Sequence, residues 1–430
     1  MPQISSPNAA RILLASFVGT SIEFYDFYIY ATAASLVFGG IFFPSTSSSV
    51  QQIASFATIA VAFVARPFGA AIFGHFGDRL GRKSTLVASL LTMGLSTTFI
   101  AFLPSFAQAG IWAPLALCVL RFGQGLGLGG EWGGAALLAV ESAPPGWRAR
   151  YGMFPQLGAP AGLLAANGTF LLLGGWLNHD AFLAWGWRIP FALSALLVIL
   201  GLWVRLKLVE TPAFTRSLKR NGRAGIPLAE VVSRHWRPLI TGTLGTIGCF
   251  VLFYVATAFT LSYATKSLGY PMQRLLGVQL LAVPFLAAGI IVAAWLADRG
   301  LAERRMLAWG SGGVIVAGAL MAPMMESGSL PLILAYLCLA LFLMGMVYGP
   351  LSGWLPTLFP AFVRYTGVSL AFNIAGVLGG GLTPIVATAL STHGGLMLVG
   401  LYGSAAALLS LIALITARDQ PLGDVPLSVG

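Results

Sequence analysis

Residues 74–83 read Gly74-His75-Phe76-Gly77-Asp78-Arg79-Leu80-Gly81-Arg82-Lys83, a short basic segment between two long apolar runs. Its echo is Ala297-Asp298-Arg299-Gly300-Leu301-Ala302-Glu303-Arg304-Arg305, with the two aspartates 220 positions apart. Arg150-Tyr151-Gly152 returns in the same way as Arg364-Tyr365-Thr366-Gly367, 214 positions later. Two independent echoes at nearly one offset indicate a duplicated unit.

Working outward from that segment, apolar spans fall near 12–38, 53–74, 84–103, 111–137, 151–174, 185–206, 238–262, 275–297, 306–324, 331–354, 367–390 and 394–416. Each is about 20 residues or more, enough helical rise to cross a bilayer core. The composition agrees: of 430 residues 57% are hydrophobic and 9% charged, and the mean hydropathy is +0.86. A soluble domain carries about 25% charged residues, so soluble, disordered and disulfide-scaffold classes are excluded. The predicted fold is all-α: twelve transmembrane helices in two pseudo-symmetric six-helix bundles. The predicted organisation is residues 1–206 for the first bundle, 207–237 for a central loop, 238–417 for the second bundle and 418–430 for a short tail.

The net charge of +11 belongs to the loops. Of 24 lysines and arginines, 19 fall in one alternating set of loops and three in the other, with Arg66 and Arg121 inside spans. The positive-inside rule then puts both termini in the cytoplasm of a multi-pass inner (plasma) membrane protein, with the bilayer as partner and no nucleic acid needed to explain the charge. The first apolar run is read as a permanent span, since it is too long for a signal peptide and lacks a cleavage site. Cys118, Cys249 and Cys338 have no paired spacing, and His75, His179, His235 and His393 lie in or beside loops. Neither a disulfide framework, a metal centre nor a prosthetic group is expected. A membrane enzyme would need a nucleophile and base or a metal cluster at one face, and a sensor would need a soluble domain; the chain offers neither.

Glycines recur every four residues inside spans, as at Gly125, Gly129 and Gly133, Gly158 and Gly162, and Gly376 and Gly380. Such spacing permits close helix approach, and either packing alone or helix bending accounts for it. Ionisable groups near the bilayer centre are functional candidates by default. There are five, all in the first half: Glu23 and Asp26, placed at i and i+3 on one helical face with Tyr30, and Arg66, Arg121 and Glu131. Glu23 stands ~16 Å of helical rise from the cytoplasmic end. These groups can be static ion pairs, or they can face a midplane cavity, where a carboxylate carries a proton and an arginine holds an anion or releases that proton. On the second view Glu23, Asp26, Arg121 and Glu131 couple protons. Arg66, Arg121, Gln124 and Tyr30 contact substrate, with Tyr254, Tyr348 and Asn373 as a neutral far wall. Partial neutralisation of the arginines by these carboxylates would leave a pocket fit for a zwitterion. The loop residues Gly74, Asp78, Arg79, Gly81, Arg82 and Lys83, with Asp298 and Arg299, are candidates for gating, Asp78 by capping the N-terminus of a helix in the opposite half.

The 74–83 segment resembles the loop signature between spans two and three of the major facilitator superfamily, and Arg121-Phe122-Gly123-Gln124-Gly125 resembles the fourth-span motif used there in energy coupling. More specific are Ile22-Glu23-Phe24-Tyr25-Asp26-Phe27, Gly129-Gly130-Glu131-Trp132-Gly133-Gly134, Gly186-Trp187-Arg188-Ile189-Pro190-Phe191 and Leu358-Phe359-Pro360 followed by Val363-Arg364-Tyr365-Thr366-Gly367. These are similar to the metabolite:proton symporter branch, whose members carry shikimate, α-ketoglutarate, citrate and other carboxylates, or proline and betaine. The resemblance runs from about residue 16 to 417. It implies proton-coupled uptake of a small organic acid such as shikimate or α-ketoglutarate, by alternating access of a monomer. Two departures carry expectations. Gly300-Leu301-Ala302-Glu303 stands where a glycine-arginine pair is usual, implying a weaker lock on that side, and the 14 residues after Thr416 replace the long C-terminal coiled coil of osmosensing carriers. Pro155-Gln156-Leu157-Gly158-Ala159-Pro160-Ala161-Gly162 also resembles the fifth-span motif of drug antiporters, so a proton antiporter exporting metabolites or drugs is the alternative.

Overall fold

The computed structural model describes residues 7–45, 47–80, 82–141, 143–144, 146–206, 227–360 and 363–417; at 7–12, 74–80, 82–86, 138, 141, 204–206 and 227 it describes the backbone alone. Most of the expected central loop, and the tail from 418, lie outside the described residues.

The six spans of the first half are α1 (Pro7–Leu36), α2 (Ser48–Leu80), α3 (Arg82–Ile100), α4 in two pieces (Trp112–Leu128 and Glu131–Glu141), α5 (Arg148–Trp176) and α6 (Ile189–Leu206). Those of the second are α7 (Trp236–Lys266), α8 (Met272–Ala297), α9 (Glu303–Met325), α10 (Leu330–Trp354), α11 (364–393) and α12 (396–416). The twelve expected spans are present, each within several residues of its place in the sequence. Backbone amides without water must bond within the segment, which is why every apolar run is helical. Large apolar side chains such as Leu115, Val119, Leu196, Ile199, Trp309 and Ile415 stay exposed on the outer surface, where lipid is the solvent.

The duplication is visible in packing. The pairs α1 with α5, α2 with α4, α3 with α4 and α3 with α6 recur six helices later as α7 with α11, α8 with α10, α9 with α10 and α9 with α12. The halves meet along α2 with α11 and α5 with α8, two pairs that the same pseudo-symmetry exchanges. Glycine spacing sets several crossings: a Cβ on Gly125 would strike the Ala62 carbonyl of α2, and Cβ atoms on Gly158 and Gly162 would strike α1 at Thr20 and at Phe24 and Tyr25. The turn joining α11 to α12 is only Gly394–Gly395, with Gly395 at φ 70° and ψ −173°, a conformation suited to glycine. Glu326 Oε1 accepts the Leu396 amide at 3.3 Å and so caps α12.

Among the described residues, three interruptions within the spans depart from regular helix. The two pieces of α4 are separated by Gly129 and Gly130. Wider π turns occupy Val255–Phe259 in α7 and Gly376–Gly381 in α11. Each frees carbonyls or backbone surface that a neighbouring helix then uses, the condition for tolerating irregular backbone within a membrane.

Candidate functional site

At mid-depth between the halves lies a cavity of ≈ 50 Å³. Its walls come from α1 (Glu23, Phe24, Phe27, Tyr28), α2 (Phe63, Arg66), α4 (Leu128, Trp132), α7 (Cys249, Phe250, Phe253, Tyr254), α10 (Met344, Tyr348) and α11 (Phe372, Asn373). Arg66 reaches it from the middle of α2 and lies over two rings, its Cζ 4.5 Å from the Phe27 centroid and 4.3 Å from that of Phe63. Among the described residues Arg66 forms no ion pair, and its buried Nε has no hydrogen-bond partner. Cation–π contacts stabilise such a group by only about 0.5–2 kcal/mol. They are weaker than a charge-assisted hydrogen bond, so the guanidinium stays competent to take an anion from the cavity.

Of the residues expected to contact substrate, Arg66, Tyr254, Tyr348 and Asn373 line this cavity, as does Glu23 from the proton-coupling group. Arg121, Gln124, Tyr30 and Asp26 do not. They form a second cluster inside the first half, behind Phe27. Arg121 is fully buried, with its Cζ 3.6 Å from the Tyr30 ring centroid; its Nη1 donates to Gln124 Oε1 and its Nε to the Thr58 carbonyl at 3.4 Å. Gln124 in turn donates to the Asp26 carbonyl at 2.9 Å and to Thr97 Oγ1 at 2.8 Å. Tyr30 donates to Thr58 Oγ1 at 2.5 Å. The Asp26 carboxylate accepts from Ser194 on α6 at 2.5 Å, and its other oxygen has no partner among the described residues. The face shared by Glu23 and Asp26 therefore divides: residues at i and i+3 differ by about 60° around the helix axis, and α1 is flanked on both sides, by the cavity and by α6. Glu131 sits apart, accepting from Ser89 of α3 at 2.7 Å.

The two ends of the cavity are crossed by contacts between halves. Toward the face where α5 begins, Trp132 stacks on Phe372 at 3.6 Å with planes 4° apart, and its indole donates to Gln156 at 3.0 Å. Gln156 donates to the Tyr348 carbonyl at 2.8 Å. The carbonyls at the α4 interruption accept from the second half, Gly129 from Asn373 at 3.0 Å and Gly130 from Tyr365 at 2.5 Å. On the opposite side Ser35 donates to the Ala258 carbonyl at 3.1 Å, Lys266 donates to Gln52, and Thr32, Asn167 and Gln279 form a chain ending on the Thr257 carbonyl. Both of those carbonyls belong to the π turn of α7.

Among the gating candidates, Asp298 makes the contact that was expected of its counterpart. Its two carboxylate oxygens accept the Ala149 and Arg150 amides at 3.1 Å each, at the start of α5 in the other half, and Arg150 Nε lies 3.1 Å away. A carboxylate at a helix N-terminus satisfies otherwise unpaired amides and favourably meets the helix dipole. This lock needs only the aspartate and the end of α5, so loss of the glycine-arginine pair after it leaves the contact in place. Burial pushes the Asp298 carboxyl above its ordinary pKa, more than the two amides and Arg150 draw it down. Arg299, just past the end of α8, packs instead on Trp295 of that helix at 3.6 Å. The side chains of Gly74, Asp78, Arg79, Arg82 and Lys83, and Gly81 altogether, lie outside the described residues.

The aromatic lining had no separate signal in the sequence, because a phenylalanine in an apolar span reads the same whether it faces lipid or a cavity. Only Trp132, inside the Gly129–Gly134 run, stood out.

The family model described as "Sugar (and other) transporter" matches residues 12–238. The inner membrane metabolite transport protein YhjE of Escherichia coli (strain K12) is 49% identical over 95% of this chain and 94% of its own length. The chain belongs to the major facilitator superfamily. Within that superfamily the shikimate transporter of Escherichia coli (strain K12) is 38% identical over 97% of this chain and 96% of its own. The xylose transporter XylE from E. coli, in a partially occluded inward open conformation, has the same fold, with a TM-score of 0.75 at 17% identity over 96% of this chain and 99% of XylE. As a member of this superfamily the chain is a multi-pass membrane transporter and not an enzyme, and the duplicated six-helix unit is the superfamily's architecture.

Proposed function

We propose that this transporter is a secondary active symporter that takes up a small organic acid, such as shikimate or α-ketoglutarate, together with protons. One observation carries the reading: Arg66, which among the described residues makes no ion-pair contact and has a buried Nε without a hydrogen-bond partner, lines a cavity between the halves that Glu23 also lines. A cation so placed attracts a carboxylate, and a carboxyl group beside it supplies a proton site whose occupancy depends on whether the anion is present. A neutral sugar would not need the cation. The likeness to a shikimate transporter supports the acid, and the name of the YhjE relative supports the inner membrane.

In this mechanism the bundles 1–206 and 238–417 rock about the cavity, joined through 207–237, in a monomer whose termini, with the tail 418–430, are cytoplasmic. Asp26, with Arg121 and Gln124 behind Phe27, relays the protonation state to helix packing, and Glu131 serves the cytoplasmic side. Asp298, together with Asp78, Arg79, Arg82 and Lys83, holds the cytoplasmic face closed.

The test is uptake of labelled shikimate, α-ketoglutarate, citrate and betaine into proteoliposomes with an imposed pH gradient, acidic on the side corresponding to the periplasm. Accumulation that collapses with a protonophore is expected for at least one acid. Gradient-driven loss of preloaded compound in the opposite sense would replace uptake with export.

A further inference from the structure

We propose that the cavity selects compounds with a single carboxylate, and that Phe27 sets this selectivity by hiding the second buried guanidinium from the substrate. The inference rests on the organic-acid reading above and narrows it to acids such as shikimate, setting aside the dicarboxylate α-ketoglutarate.

Two guanidiniums share the Phe27 ring. Arg66 Cζ lies 4.5 Å from its centroid and Arg121 Cζ 5.0 Å. Only Arg66 reaches the cavity wall. Arg121 is held away from it by Tyr30, Gln124 and the Thr58 carbonyl. Phe27 is itself fixed, packed edge-on against Phe63 at 5.2 Å and Tyr28 at 6.3 Å between ring centroids. A rigid apolar partition therefore stands between the substrate and Arg121.

The rest of the wall confirms the charge count. Apart from Arg66 and Glu23 it carries no charge: it consists of Phe and Trp rings, the tyrosines Tyr28, Tyr254 and Tyr348, Leu128, Met344, Cys249 and the neutral Asn373. With Glu23 protonated the cavity carries one positive charge, enough for one carboxylate. A second carboxylate on the same molecule would meet only the neutral donors Tyr28, Tyr254, Tyr348 and Asn373 and no second cation, and burying a charge without an opposite charge is strongly unfavourable. Monocarboxylates with a compact or flat apolar body fit; dicarboxylates and tricarboxylates do not. Removing the Phe27 ring would join Arg121 to the cavity and supply the second cation.

Cys249, on the wall, reports occupancy without any need for transport. In a C118S/C338S background, alkylation of Cys249 by a membrane-permeant maleimide is followed with increasing shikimate, 2-oxopentanoate or α-ketoglutarate. The last two differ only in a terminal methyl against a carboxylate. The parent should need at least ~10-fold more α-ketoglutarate than 2-oxopentanoate for half-protection. F27A should narrow that ratio ~10-fold or more, and F27L, which keeps an apolar partition, should leave it within ~3-fold of the parent. F27V removes less volume and should shift the ratio in the direction of F27A, keeping the test open where F27A lowers yield. Equal protection by both oxo-acids in the parent would overturn the single-carboxylate assignment, and a ratio unmoved in F27A and F27V would overturn the role of Phe27. Labelling of Cys249 that no acid slows would overturn the organic-acid reading itself.

Discussion

The two halves share one packing scheme but divide the chemistry unequally. Glu23, Asp26, Arg66, Arg121 and Glu131 are all in the first half and buried or nearly so, whereas the second half brings to the cavity Cys249, Tyr254, Tyr348, Asn373 and aromatic rings. Among the described residues irregular backbone within the spans is distributed the other way, with two π turns in the second half and one glycine interruption in the first. The difference teaches that duplication preserved the frame while charge was concentrated in one copy and helix deformability in the other. If so, substitutions in the first half decide whether transport occurs, and those in the second tune how well.

The sharpest break in that comparison is R66Q, which removes the one cavity cation. Losing one partner of a buried charge pair costs about 2–5 kcal/mol, so kcat/KM for uptake should fall ~100-fold or more; a fall under ~5-fold would move the anion site elsewhere. Next is D26N, expected to abolish accumulation driven by the pH gradient while counterflow exchange stays within ~3-fold of the parent, since Asp26 lies behind Phe27 and away from the cavity. Unaltered accumulation in D26N would remove Asp26 from the mechanism.

Legibility followed the same division. The spans, the duplication and the costly charges could be read directly, because an ionisable residue in an apolar run is conspicuous and helices in lipid follow hydropathy. What could not be read was which charges share a compartment. Arg66 and Arg121 are equivalent as letters, yet Phe27 separates them, and Glu23 and Asp26 point to different neighbours although only three residues apart. Those distinctions come from the rotation of α1 against α6 and the cavity, which no local pattern encodes. The α4 interruption was within reach, since Gly127, Gly129 and Gly130 crowd one turn.

In the second half the effects should be smaller. N373A removes a cavity-wall group and its bond to the Gly129 carbonyl. A net hydrogen bond is worth about 0.5–1.5 kcal/mol, so KM should rise ~3- to 10-fold with accumulation retained; complete loss of coupling would erase the contrast between the halves. The smallest effect on affinity belongs to D298A, which unlocks α5 and should lower the maximal rate ~2- to 10-fold with KM within ~2-fold.

Asp298 also carries a pH signature. Because burial raises its pKa in the closed arrangement, that arrangement binds the proton more tightly than one with the loop in water. Closing is therefore favoured as pH falls through the raised pKa, and the advantage is lost as pH rises through it. Hydrogen exchange at the Ala149 and Arg150 amides, corrected for intrinsic rates, should show this dependence in the parent and not in D298N.

The interruption of α4 has one more consequence, for how the protein tolerates genetic change. The acceptors that draw Asn373 and Tyr365 across the interface are the carbonyl oxygens of Gly129 and Gly130. A carbonyl belongs to the chain and not to a side chain, so no missense change at those positions deletes it, although bulk added at Gly129 would drive α4 against the Arg66 carbonyl of α2. One side of this closure is thus written in a part of the molecule that codons cannot erase, and loss-of-function variants should collect on the donors and on the close-packed glycines.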